Sequence, residues 1–150
     1  MSYTSSLYHV IFSTYRREPS IVNEYREKLY GVMANIIMAN NSRALIINGT
    51  PDHVHLLMFL NPSVSLSAVV REMKSKSTFW AKQSGYFPLF KGWEKEYAAF
   101  SLSYSHKQAV YDYISGQQAH HAVAKLEDEY KRLVMKAGLT YYEPPTGYGN

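Results

Sequence analysis

The chain has 150 residues, 46% of them hydrophobic, enough to bury one good core and too few for two ordinary ones. It contains no cysteine, which excludes disulfides, thiolate zinc sites, iron–sulfur clusters and cysteine nucleophiles together, so any metal must sit on His, carboxylate or amide ligands. A formal charge of +4 favours polyanionic partners, and aromatics at 15% supply either base-stacking surface or core. No basic leader with a long apolar run opens the sequence, and no later run has the length of a membrane span. The expectation is a soluble, cytoplasmic protein with no membrane association.

In chain order, residues 8–14 are rich in β-formers and run into Tyr15-Arg16-Arg17, a first strand with a basic exit. Pro19-Ser20 punctuates the chain. Ile21, Tyr25, Leu29, Val32 and Ile36 then follow at steps of three and four, predicting one apolar face of a helix closed by Asn40-Asn41. The apolar runs 43–48 and 53–60 flank Gly49-Thr50-Pro51-Asp52, which predicts a hairpin. Leu66, Val69, Val70, Met73 and Trp80 mark a second amphipathic helix, with Arg71, Lys74, Lys76 and Lys82 on its other faces and Gly85 at its end. Residues 86–96 read as a loop, and 97–104 alternate as a half-buried strand does.

This order of strand, helix, strand, strand, helix, strand predicts an α+β fold, a ferredoxin-like βαββαβ antiparallel sheet. Ser105-His106-Lys107-Gln108 has capping-box spacing, so a third helix is expected through Gln117. A fourth is expected over 123–137, capped by Gly138. The whole of 1–150 is read as a single domain: a βαββαβ core over about 5–105, two further helices over about 106–138, and a loose tail over 139–150 that holds Pro144-Pro145.

Two imidazoles stand in the third strand as His53-Val54-His55. Alternation along a strand points both to one face, a ready metal chelate. An isolated His-x-His is more often satisfied by core hydrogen bonds. Here it lies in an apolar, central run, where polar groups are costly unless used. One way to complete a metal site is Tyr113 with Gln117, four apart on a helix, offering a hydroxyl and an amide oxygen side by side. Tyr-x-x-x-Gln alone is a common pattern.

Pro51-Asp52-His53-Val54-His55-Leu56-Leu57 resembles the HUH motif of the single-tyrosine transposases of the insertion-sequence 200/605 group, and Tyr113-Ile114-Ser115-Gly116-Gln117-Gln118-Ala119-His120-His121 resembles their tyrosine helix. The opening Tyr8-His9-Val10-Ile11-Phe12 and Ala99-Phe100-Ser101-Leu102-Ser103 match as well, so the resemblance spans nearly the whole chain. Departures are Gly116, where relatives often carry a larger polar residue, and Glu96, where a glycine is common.

The resemblance implies a bacterial or archaeal DNA-transposition enzyme, a metal-dependent single-stranded endonuclease and strand transferase. In it His53, His55 and Gln117 bind Mg²⁺ or Mn²⁺, and Tyr113 attacks phosphorus to give a 5′-phosphotyrosine and a free 3′-hydroxyl. It further implies single-stranded DNA with hairpins at element ends as substrate, and a homodimer whose tyrosine helix completes the partner's site.

Tyr111 is the rival nucleophile, on the other side of the helix and without a Gln partner. The general base is not identified by the sequence. His9 is expected to pack or hydrogen-bond near the core, and His120-His121 stay outside the metal site. Arg16, Arg17, Arg71, Lys74, Lys76 and Lys107 are candidate DNA phosphate contacts, although a basic helix face is often merely solvated. Three other readings stand beside this one: a non-catalytic module of the RNA-recognition type, a domesticated relative that processes repeated palindromes, and a structural metal-binding protein.

Overall fold

A computed structural model describes residues 2–117 and 126–141 of the chain. Strands β1 (Leu7–Thr14), β2 (Arg43–Thr50), β3 (His53–Phe59) and β4 (Trp93–Leu102) form one antiparallel sheet in the order β2-β3-β1-β4. Helices α1 (Arg26–Ala39) and α2 (Leu66–Ser84) make the two crossovers, which completes the ferredoxin-like fold that the periodicity predicts.

The period of two divides the central strands. Val10 and Phe12 of β1 and Val54, Leu56 and Met58 of β3 pack with Leu29 and Met33 of α1 and Val69, Val70 and Met73 of α2. Leu7 and Leu57 face the other way and bury Ile114 of α3 (Lys107–Ser115). His9, His53 and His55 share the parity of Leu7 and Leu57, so all three belong to the α3 side of the sheet. There they are nearly or wholly buried, which obliges each polar ring to find partners.

The hairpin between β2 and β3 turns tightly at Pro51-Asp52, with Gly49 opposite Val54. A side chain on Gly49 would place its Cβ 2.1 Å from the His53 carbonyl oxygen and 2.8 Å from the Val54 Cα, so glycine is required for these strands to approach. Helix α2 is closed as expected. The Ser65 hydroxyl accepts from the Ala68 amide at 3.1 Å, and Gly85 ends the helix in the left-handed region at φ 77°.

Several expectations are corrected. Helix α1 starts at Arg26, after a 3₁₀ turn over Asn23–Tyr25, so Ile21 lies before it. Its buried line is Leu29, Tyr30, Met33 and Ile37 instead of Val32 and Ile36, which are only half-buried. Strand β4 begins at Trp93, within the stretch read as a loop. Glu94, Lys95 and Glu96 hide it from apolar alternation, because β4 is an edge strand where charges are tolerated. It is anchored by the buried Trp93, whose indole donates to the Ser77 hydroxyl at 3.0 Å.

The capping box at 105–108 does not form. Residues Tyr104–His106 make a 3₁₀ turn, and the Ser103 hydroxyl pairs with His106 Nδ1 at 2.7 Å. Helix α3 then ends at Ser115, with Gly116 as its cap, so Tyr113 and Gln117 do not lie on one continuous helix. A last helix, α4, is described over Leu126–Lys136, and Gly138 follows at φ 78°. His120-His121 and the Pro144-Pro145 tail lie outside the described residues. Among the described residues no helix is long and apolar enough to cross a membrane.

Candidate active site

Each histidine is fixed from its inner nitrogen. His53 Nδ1 lies 2.7 Å from Asp52 Oδ1 and 2.8 Å from Thr50 Oγ1, both supplied by the hairpin turn. His55 Nδ1 lies 2.7 Å from Nε2 of His9, its stacked neighbour on β1. Burial, and then the neighbouring His55, lower the His9 pKa to about 3, so His9 stays neutral and its Nε2 can accept. With both Nδ1 atoms engaged, each ring turns its Nε2 to the same place, as metal-ligating histidines do.

That place is filled from α4. The Glu129 carboxylate, 2% exposed, sets Oε1 3.1 Å from His55 Nε2 and Oε2 3.7 Å from His53 Nε2. His53, His55 and Glu129 offer three ligand atoms within 4.8 Å of one another. Two imidazoles with one carboxylate form a donor set that fits a hard or borderline divalent cation.

Tyr113 reaches the same centre from α3. Its hydroxyl donates to Glu129 Oε1, and its ring lies edge-on to His55, 5.9 Å between centroids. Arg132, one turn after Glu129, donates from Nη2 to the Tyr113 hydroxyl at 3.4 Å. Burial, followed by the hydrogen bond and charge of Glu129, pushes the phenol up to about 12, with Gln117 and Arg132 pulling the other way. Asn48 on β2 holds the end of α3 in place, donating to the carbonyls of Ile114 and Ser115 at 3.0 and 3.2 Å. Gln117 is fully buried just past that end. Its amide nitrogen donates to Glu129 Oε1 at 3.4 Å, so the predicted ligand stands beside the carboxylate despite the break in the helix.

The model of the family described as "Transposase IS200 like" matches residues 2–117. The chain belongs to this family. The ISDra2 transposase TnpA of Deinococcus radiodurans is 26% identical over 115 residues, covering 73% of this chain and 82% of that protein. The transposase of insertion sequence IS200 from Salmonella typhimurium is 27% identical over 71 residues, 47% of each chain. Among solved structures, a candidate transposase from D. radiodurans R1 has a TM-score of 0.61 at 23% identity, covering 78% of this chain and 95% of that one. A REP-associated tyrosine transposase bound to a REP hairpin has a TM-score of 0.63 at 14% identity, covering 100% and 94%.

In this IS200-like transposase the six basic residues picked from the sequence do not form one surface. Arg71, Lys74 and Lys76 belong to α2, across the sheet from the histidines. Lys74 is half-buried and ties α2 to β4 by donating to the carbonyls of Glu94 and Lys95 at 2.7 and 2.9 Å, while Lys76 pairs with Glu72. Arg17, at the exit of β1, binds Glu127 of α4 at 3.0 Å. Arg16 takes a left-handed backbone at φ 54°, and its amide donates to Glu94. Lys107 lies over the Tyr104 ring at 4.6 Å. The rival Tyr111 is an exposed residue of α3.

Glu129 and Arg132 were missed because the run Glu127-Asp128-Glu129 reads as ordinary acidic decoration of a helix start. The available signal was its phase: Glu129 falls with Leu126, Tyr130 and Leu133 on the apolar side of α4, where a carboxylate is unexpected.

Proposed function

We propose that this transposase is a metal-dependent endonuclease and strand transferase of single-stranded DNA, that residues 1–150 act as one transposase domain, and that Tyr113 is the nucleophile. The observation that supports this most is the Tyr113 hydroxyl standing against the cluster of His53, His55 and Glu129. These three residues would hold Mg²⁺ or Mn²⁺, with the Gln117 amide as a further donor if its oxygen end is turned inward, and the ion's chemistry is to neutralise charge on the scissile phosphate.

The chain's own groups account for the rest. The phenol is protonated at neutral pH, and the Glu129 carboxylate that accepts its hydrogen bond is positioned to take the proton as Tyr113 Oη bonds to phosphorus. The 3′-oxygen leaves as a hydroxyl, and the phosphotyrosine bond stores the energy for rejoining. The Tyr113 hydroxyl meets Glu129, and its ring meets His55, within one chain, and the assembly proposed for it is the homodimer that the resemblance implies.

Incubation with single strands carrying the hairpins that flank its gene, with Mg²⁺ or Mn²⁺, is expected to give a covalent protein–DNA adduct that Tyr113→Phe abolishes while hairpin binding persists. Binding with no adduct in the unsubstituted protein would refute the nuclease reading. A second reading, processing of repeated palindromes on behalf of the host, is favoured by the whole-length likeness to the transposase bound to a REP hairpin. It predicts cleavage of such palindromes in place of element ends.

A further inference from the structure

We propose that Arg132 is a catalytic residue of this site, the cation that receives the scissile phosphate beside the Tyr113 hydroxyl. The inference rests on the nuclease reading above and adds a residue to it.

Helix α4 is fixed against the sheet and not merely near it. The Tyr130 hydroxyl donates to the Ile11 carbonyl at 3.2 Å, and Arg17 holds Glu127 at 3.0 Å while its guanidinium lies 5.8 Å from the Tyr130 ring centroid. Docked in this way, α4 presents Glu129 and Arg132, three residues apart on one face, to a single oxygen of Tyr113. The other basic residues described on α4 do different things. Lys131 lies over the Tyr141 ring, 6.0 Å away, and Lys136 ends the helix.

The chemistry explains the pairing. Tyr113 Oη forms a bond to phosphorus, the bond from phosphorus to the 3′-oxygen breaks, the phenolic proton passes to Glu129, and the departing oxygen takes a proton from water. Negative charge grows on the phosphate oxygens as the bonds exchange. A fixed charge that needs no protonation change is suited to that task, and a guanidinium has five donors in a planar fork, so one N–H on Tyr113 leaves four for other acceptors such as phosphate oxygens. Arg132 is exposed, open to a strand arriving from solvent, whereas Glu129 is enclosed.

The test compares the unsubstituted protein with Arg132→Ala and Arg132→Lys in single-turnover cleavage of a hairpin strand, with binding measured separately in a Tyr113→Phe background. Arg132→Ala is expected to lower the cleavage rate roughly 100-fold, the scale for removing one preorganised donor at a developing oxyanion. Binding should change by less than about threefold, because one phosphate contact is a small part of the total. Free guanidinium at millimolar concentration should restore part of the lost rate, which a merely structural role would not allow, and Arg132→Lys should retain an intermediate rate.

Cleavage by Arg132→Ala within about threefold of the parent overturns the inference, as does a loss of rate that tracks a lowered melting temperature and is not rescued by guanidinium. If the parent itself forms no adduct, the nuclease reading fails and this inference falls with it. An adduct formed equally by parent and variant refutes Arg132 alone.

Discussion

His53 and His55 depend on different supports, the hairpin turn for one and His9 for the other, yet they converge on one carboxylate. His53→Ala should therefore weaken Mn²⁺ binding by more than the roughly 10- to 100-fold typical of losing an outer support. At the third position Glu129→Ala should cost more than Gln117→Ala, since the carboxylate is charged and lies nearest both Nε2 atoms. Calorimetry with Mn²⁺ measures all three, and a larger loss from Gln117→Ala would return the ligand role to the amide.

Tyr30 is the opposite case, a polar atom with no use. Its hydroxyl lies in the main core with no hydrogen-bond partner among the described residues. Tyr30→Phe should stabilise the protein by about 1 kcal/mol, read from denaturant midpoints, and a destabilised variant would show that the hydroxyl is satisfied. Burial also raises this phenol above its ordinary value of 10.0. A group whose folded pKa is raised contributes fully below its unfolded pKa and loses that contribution as pH rises through the folded value. Stability should thus fall above about pH 10, and less steeply in Tyr30→Phe.

At the scale of elements, the hairpin of β2 and β3 is what aims both histidines, and its closeness depends on Gly49. Gly49→Ala should force the strands apart beside His53 and cost about 1–3 kcal/mol, with Mn²⁺ binding weakened in parallel; an unchanged urea midpoint would mean that the backbone shifts freely there. Helix phase was the least legible feature. In α1 the sequence offers apolar residues on two adjacent lines, and which line is buried depends on how the helix sits on β2 and β3, a tertiary fact. Strand β4 was recognisable only where Ala98, Phe100 and Leu102 alternate with Ala99 and Ser101, because its first half carries edge charges.

For the whole molecule, the βαββαβ order was readable because each element has its own period and its own punctuation, and the central pair of strands could hardly bury two histidines without employing them. What stayed hidden was the arrival of α4. Glu129 and Arg132 are 76 and 79 residues from His53 in the chain, and nothing local to either reports where a separate helix docks. Tyr113 and Gln117, expected to meet by helical spacing, meet at Glu129 through packing across the break at Gly116.

Attack of one tyrosine on phosphorus at this site is read out by mass mapping of the protein after reaction with single-stranded hairpin DNA and Mn²⁺. A nucleotide adduct on Tyr113 is expected that forms only with the metal present and vanishes in Tyr113→Phe. Cleavage products with no adduct, or an adduct on Tyr111, would contradict it.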